Sequence, residues 1–495
     1  MRRIIALVLA AAMLLTLSAC KKEAPKDKDT GKPQEKPVEL TELQKQENKL
    51  LSMFDEENIV FTFGAVSDIH LDGGYMADSS YKKSTTAFRT LQKFSSTGTL
   101  DAMVIAGDLV NCTNSMGNVF AGSEKYPGTK EENYPVQANA ERENFKKAVK
   151  DALPDQIPLF YCLGNHDSIN GNHTAEFIEA FSGKNGETFE RYFGIDEDIE
   201  QTKQGRRHAI IGGQHFFGID LNYSEETMNW LKIEFDKVIK EDKNANIFLL
   251  GHYGPEFTED RTAAEQKYKE FLNDYPQVIH FYGHDHDYIQ KETAIMQYDS
   301  GYITLDCGSA NYFPTKWASP ELECVNVIKN YVEKYYGGYL VEIDKNSNIR
   351  VRRINFETGT ICADDWVIPA MKDGRRELYY TADRAKKAGK PYFEEGTTFE
   401  AQQTAYNLKL GFDAAKCDDY IYYYKVEIFL GESDTLHKEF AISSRLFAEK
   451  SKGEASERFD IYVDPLPKGD YTIKLTPYDT FLNAGEPLTV TLKAA

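Results

Sequence analysis

Leu159-Phe160-Tyr161-Cys162-Leu163-Gly164-Asn165-His166-Asp167 is an apolar run that stops at a glycine and then delivers an amide, an imidazole and a carboxylate. The apolar half predicts a buried strand over 157–163, and the polar half a loop at its end. Four other places repeat the arrangement. Asp68-Ile69-His70 follows a predicted strand over 59–66, and Gly107-Asp108 follows one over 102–106. Gly251-His252 follows 247–250, and Gly283-His284-Asp285-His286 follows 278–282. Of the 10 histidines in the chain, His70, His166, His252, His284 and His286 fall in these motifs.

Donors of this kind at several strand ends point to metal chemistry. A single cation can be held by almost any polar cluster. Two cations ~3.5–4 Å apart need ligands from several strands and a shared carboxylate. Gly-Asp alone is a common turn, whereas Gly-Asn-His-Asp after a strand carries much more information. In Gly-His-Asp-His the two imidazoles are two residues apart, so extended backbone would point both the same way, each able to hold a different ion. Imidazole, carboxylate and amide oxygen without thiolate suit Mn, Fe, Zn, Co or Ni, and the sequence does not choose among them.

Between the motifs the chain alternates. Helices are predicted over 84–94, 136–153, 224–239 and 263–272, and further strands over 302–307, 338–343 and 349–354. Segments 208–211 and 215–219 read as a hairpin turned by Gly212-Gly213. A helix should begin at Thr41, with Gln44 completing a capping box and Leu43, Leu50, Leu51 and Phe54 as its apolar stripe. Such alternation implies a layered α/β domain, with ligands collecting beyond the carboxyl ends of the strands.

On these five motifs the chain resembles the calcineurin-like metallophosphoesterase family, over roughly residues 58–310 and the strands to 354. The resemblance implies a four-layer α/β/β/α sandwich of two mixed sheets flanked by helices. It implies two divalent transition-metal ions: Asp68, His70 and His286 on one, Asn165, His252 and His284 on the other, and Asp108 bridging. The pair would activate a water and clamp phosphate oxygens. His166 would protonate the leaving oxygen or contact the phosphate, with Asp167 fixing its tautomer. Asp220 and Trp230-Leu231 look like a strand and a helix that recur in the family, with packing as their expected role. Purple acid phosphatases carry a tyrosine three residues after the bridging aspartate. Asn111 stands there here, which disfavours an Fe(III)–tyrosinate centre.

The start of the chain speaks to location. Met1-Arg2-Arg3 precedes an apolar run over 4–17, too short to span a bilayer as a helix, and Leu17-Ser18-Ala19-Cys20 resembles a bacterial lipobox. The expectation is a signal peptide over 1–19, lipidation of Cys20 and a disordered tether over 20–40. The other reading is a plain secretory signal; either places the protein outside the cytoplasm, and the first anchors it to the membrane. A formal charge of −20 without a basic stripe argues against sequence-independent nucleic-acid binding. The six other cysteines form no CxxC pair and read as small buried hydrophobes.

The phosphoesterase domain is expected over 41–370 and an all-β sandwich over 371–495. Tyr471-Thr472-Ile473-Lys474-Leu475 alternates strictly after the turn at Lys468-Gly469-Asp470, and Tyr471 resembles the tyrosine of a fibronectin- or immunoglobulin-like strand. Tyr420-Ile421-Tyr422-Tyr423-Tyr424 is read as sandwich core in preference to a stacking surface for sugars or bases. Arg206-Arg207 is read as a solvated strand edge in preference to a phosphate clamp, and His208, His215 and His280 as structural. The substrate expected is a small phosphate ester or a phosphorylated surface polymer, with monoester and diester both open. The alternative function is a surface binding or adhesion lipoprotein with a vestigial site. The sequence does not address oligomeric state.

Overall fold

Two mixed sheets lie face to face and bring the predicted strands together. In this computed structural model the described residues are 40–111, 119–167, 201, 204–221, 223–255, 263–313, 319, 322–327, 333–448 and 458–494. The signal segment, Cys20, nearly all of the tether, and Cys112 lie outside them. Residues Thr41–Ala495 make one compact unit.

The first sheet has seven strands. Its parallel centre is β1 (Ile59–Val66), β2 (Ala102–Ala106) and β3 (Leu159–Cys162). The second has six, in the order β4 (Arg206–Ile211), β5 (Gln214–Ile219), β6 (Ile247–Gly251), β7 (Val278–Tyr282), β9 (Ile303–Asp306), β8 (Ile295–Gln297). Strands β5, β6, β7 and β9 are parallel, while β4 and β8 are antiparallel edges. On the far side of β1 the first sheet continues antiparallel through β10 (Gly337–Asp344) and β11 (Ile349–Asn355), which pairs with β12 (Thr360–Ile361) and β13 (Trp366–Ile368).

Central strands covered on both faces are apolar throughout, as their sequences are. Phe61, Phe63 and Phe160 of the first sheet meet Phe216, Phe248 and Phe281 of the second in one core. Phe63 stands edge-on to Phe216 and Phe248, with ring centroids 5.4 and 5.2 Å apart. The first sheet's outer face packs on helices α2 (Ala77–Phe94) and α3 (Lys130–Ala152) through Phe88, Leu91, Phe145 and Val149. The second sheet's outer face packs on α4 (Glu225–Glu241) and α5 (Ala263–Leu272) through Leu231, Phe235, Tyr268 and Leu272. The result is the expected four-layer α/β/β/α order.

Helix starts differ from expectation where a cap outweighs a breaker. Helix α3 was predicted from 136, after Pro135; a capping box between Thr129 and Glu132 starts it at Lys130 and leaves Pro135 inside. The same device starts α1 (Glu42–Leu51) at Thr41 and Gln44, as read from the sequence. Leu43 and Leu50 of that helix are buried, but Leu51 is 40% exposed. Helix α2 begins at Ala77, seven residues before the prediction, and buries Ser80 as well as its apolar stripe.

The C-terminal part is a sandwich of antiparallel sheets. Strands β14 (Phe399–Gln403), β15 (Leu408–Asp413) and β18 (Arg458–Val463) face β17 (Leu436–Ser443), β16 (Ile421–Leu430), β19 (Gly469–Asp479) and β20 (Leu488–Ala494). Leu410, Phe412 and Phe459 meet Val426, Ile473 and Leu475 between them. The Tyr471 hydroxyl donates to the Pro467 carbonyl at 2.9 Å, the bond of a tyrosine corner. The tyrosine run divides. Tyr424 enters the sandwich core, while Tyr420, Tyr422 and Tyr423 enter the core between the first two sheets. All four are buried, so none offers a stacking surface.

A buried charge cluster ties the two parts. The Glu292 carboxylate accepts from Arg353 at 2.7 Å, from the Trp366 indole at 2.9 Å and from Arg384. Its backbone N–H donates to Thr480 at 3.1 Å. Burial works against the charged form, but Arg353 and Arg384 outweigh it and hold the carboxyl at about 2 against an ordinary 4.5. Glu292→Ala would strand two buried guanidinium groups, and urea unfolding should show a loss of ~3–5 kcal/mol. The folded carboxyl is depressed, so its stabilisation is present above pH 4.5 and is lost as pH falls towards 2. The stability gap between wild type and Glu292→Gln should therefore close across that window.

Candidate metal centre

Every motif sits where a parallel strand ends, and the two sheets aim these ends at one another. Asp68 and His70 follow β1, Asp108 follows β2, and Asn165 and His166 follow β3. His252 follows β6, and His284 and His286 follow β7. Donor atoms of Asp68, His70 and His286 lie within 4.8 Å of one another, as do those of Asp108, His252 and His284. Asp108 also groups with His70 and His166, so its carboxylate stands between the two clusters.

The contacts are close. His70 Nε2 is 3.0 Å from His286 Nε2, which is 2.9 Å from Asp68 Oδ1. Asp108 Oδ2 lies 3.2 Å from His252 Nε2 and 3.6 Å from His70 Nε2. Asn165 Oδ1 lies 3.0 Å from His252 Nε2 and 2.9 Å from His284 Nδ1. The outer nitrogens are spoken for: His252 Nδ1 donates to the Ala106 carbonyl at 2.9 Å and His286 Nδ1 to that of Tyr312 at 3.1 Å. A carbonyl only accepts, so each Nδ1 carries a proton and Nε2 is left on the inner side as the atom able to bind a cation. Imidazole nitrogens, an amide oxygen and carboxylate oxygens thus face one another in a buried space. That donor set fits cations.

Burial lowers His252, but the Asp108 and Asp68 carboxylates outweigh it and push the ring up to about 10, so without a cation the ring carries a second proton, one that an ion bound at Nε2 would displace. His70 and His284, governed by burial, fall to about 4.

The backbone is unusual at these positions. Asp68, His70, Asp108, His284 and His286 all have positive φ, from 47° to 74°. This corrects the expectation of extended backbone at Gly283-His284-Asp285-His286. The two imidazoles do serve different clusters, but through left-handed turns past the strand end. The motif glycines answer to crowding: a Cβ on Gly107 would strike the His252 ring, and one on Gly283 would strike Ser67 and Asp68.

His166 is held differently from expectation. Its Nδ1 donates to the Asn111 carbonyl at 2.8 Å, so that carbonyl sets the tautomer. The Asp167 carboxylate instead accepts from the backbone N–H groups of Val110 at 3.0 Å and Gly164 at 2.7 Å, tying the second motif to the third. Arg206 and Arg207 are buried, not solvated. Arg207 pairs with both Asp220 oxygens, and Asp220 Oδ1 also accepts from Leu163 N at 2.7 Å, just before Gly164.

One loop escaped the sequence reading. After β9 comes Ser309-Ala310-Asn311-Tyr312. Ser309 Oγ donates to the Asp68 carbonyl at 3.0 Å, and Asn311 Nδ2 to that of His70 at 3.2 Å. Tyr312 supplies the His286 carbonyl partner named above. The signal was available, because 302–307 reads as a strand and its following loop should share the rim. It was missed because the loop carries no histidine or carboxylate.

Residues 61–288 match the family described as calcineurin-like phosphoesterase. That stretch is a calcineurin-like phosphoesterase domain. Among solved structures the chain is similar to a 5′-nucleotidase precursor from Thermus thermophilus, at 12% identity over 64% of this chain and 56% of that one, with TM-score 0.29. It is also similar to the CBM32-1, CBM32-2 and M60 catalytic domains of Clostridium perfringens ZmpB, at 20% identity over 22% of this chain and 10% of that one, with TM-score 0.12. The chain thus spans only 56% and 10% of those two chains' lengths. No curated protein matches it significantly. The phosphoesterase family is dinuclear-metal dependent, and the clusters around Asp108 supply candidate ligands.

Truncating Asp220 would leave Arg207 buried without its carboxylate and release Leu163 N. Asp220→Ala should lower stability by ~3–5 kcal/mol. A melting temperature equal to wild type would contradict the bracing role.

Proposed function

We propose that this chain hydrolyses a phosphate ester with two divalent transition-metal ions, at the outer face of a membrane to which lipidated Cys20 anchors it. The supporting observation is the gathering of six donor side chains around one shared carboxylate, Asp108. Asp68, His70 and His286 hold one ion and Asn165, His252 and His284 the other. When bound, such a pair polarises phosphate oxygens and lowers the pKa of a water to near neutrality.

The chain's own residues do the rest. Hydrolysis adds water to phosphorus and breaks a P–O bond, and the leaving oxygen needs a proton. His166 supplies it from Nε2, because Nδ1 is occupied by the Asn111 carbonyl. Asp167 acts one step back, holding the loops that carry Asp108 and His166. The substrate is a phosphomonoester or phosphodiester, on a small molecule or a surface polymer.

An aryl phosphomonoester and an aryl phosphodiester, assayed with Mn, Fe, Zn, Co and Ni, should show hydrolysis that a chelator abolishes. His166→Ala should lower kcat by ~10²–10⁴ with two metals still bound. Absence of turnover with every metal, in protein holding two ions, would favour the surface-binding alternative. Cys20→Ser should move the protein from the membrane fraction to the soluble one; retention in the membrane would remove the lipid anchor.

A further inference from the structure

The loop after β9 places a side chain at the site that no motif accounts for. The Tyr312 ring stands 4.5 Å from the His286 ring, nearly edge-on, and 5.9 Å from the His70 ring. Its backbone is pinned: the carbonyl takes the His286 proton, and the N–H donates to Ser309 Oγ at 3.1 Å. From outside, Lys83 on α2 clamps the preceding residue, donating to the Asn311 carbonyl at 2.6 Å and to that of Glu333 at 2.9 Å. The ring is partly exposed, unlike Phe313 beside it, which is fully buried.

The chemistry of the site leaves a role for such a group. The seven candidate ligands are taken up by cations, and a phosphoryl group presents acceptor oxygens. It therefore needs donors besides the cations. Two cationic side chains are committed elsewhere, Lys83 to backbone carbonyls and Arg207 to Asp220. A phenol hydroxyl carries its proton at neutral pH and can donate it in a hydrogen bond.

We propose that Tyr312 is a substrate-contacting residue whose hydroxyl donates a hydrogen bond to a non-bridging oxygen of the bound phosphoryl group, on the Asp68–His70–His286 side. The inference rests on the phosphoesterase reading above. A donor fixed through its backbone costs little ordering when the ligand arrives, which is what preorganised stabilisation requires.

The test is Tyr312→Phe, which removes only the hydroxyl and leaves the carbonyl that orients His286. With protein loaded with two metal ions, inorganic phosphate binding is measured by titration calorimetry. The variant should bind phosphate about tenfold more weakly, the usual scale of one hydrogen bond to a charged group. Its kcat/KM on the aryl ester should fall by a similar factor, with metal content and melting temperature unchanged. Phosphate affinity within twofold of wild type would overturn the assignment while leaving the phosphoesterase reading intact. Loss of a metal ion in the variant would make the ring structural and overturn it too. Failure of the metal-loaded wild-type protein to bind phosphate would remove both readings together.

Discussion

The carboxylate of Asp108 is the point on which the rest of the structure turns. It is buried, 3.2 Å from one inward-facing imidazole and 3.6 Å from another, each belonging to a different cluster. Without positive charge, this is an unfavourable assembly: His70 and His286 oppose nitrogen to nitrogen at 3.0 Å, with Asp68 alongside. Burying such groups unpaired is expensive. Five of the residues involved also hold left-handed backbone, each costing on the order of 1–3 kcal/mol for a non-glycine residue. Strain and desolvation concentrated in one place, and opposed by one kind of ligand, are what a cation site looks like before its cations are counted. Binding energy from the ions would be drawn on to hold these turns.

What keeps the turns in place otherwise is a set of polar brackets between loops. Asp167 joins the loop after β2 to the loop after β3, and Asp220 joins the end of β5 to the end of β3. Ser309 reaches from the loop after β9 to Asp68 on the opposite sheet. Each bracket is a side-chain oxygen paired with a backbone group, and each is almost wholly out of solvent. In that environment a satisfied bond is rigid and an unsatisfied one is costly. The two sheets are therefore registered at their rims by these bonds as well as by the phenylalanine core, and the separation of the two clusters follows from that register.

The legible part of the chain was the part in which one residue type has one use. Apolar runs ending in a short polar motif with Asp, Asn or His marked the strands of both sheets, and 59–66, 102–106 and 278–282 were read to the residue. The bracing residues were not legible, because Asp167, Asp220 and Ser309 look like any polar residue near a turn. Asp167 was given to His166 on the family resemblance. In space the nearer partner of that ring is a backbone carbonyl, which no side-chain pattern reveals. Arg206-Arg207 failed for a related reason: an arginine pair reads as solvated until the carboxylate that neutralises it is found, and Asp220 lies thirteen residues on, across the β4–β5 hairpin.

The C-terminal sandwich enters the same argument. Tyr422 and Tyr423 lie in the core that also holds Phe63 and Phe281, and Tyr288, two residues past His286, packs on Phe447 with centroids 5.5 Å apart. Glu292, six residues past His286, is neutralised by Arg353 from the first sheet and by Arg384 beyond it. The segment that carries His284 and His286 is thus anchored downstream by contacts that include the sandwich. The sandwich is better understood as the far wall of the fold that holds the β7 loop, so that a change in its packing would be felt at two imidazoles of the metal centre.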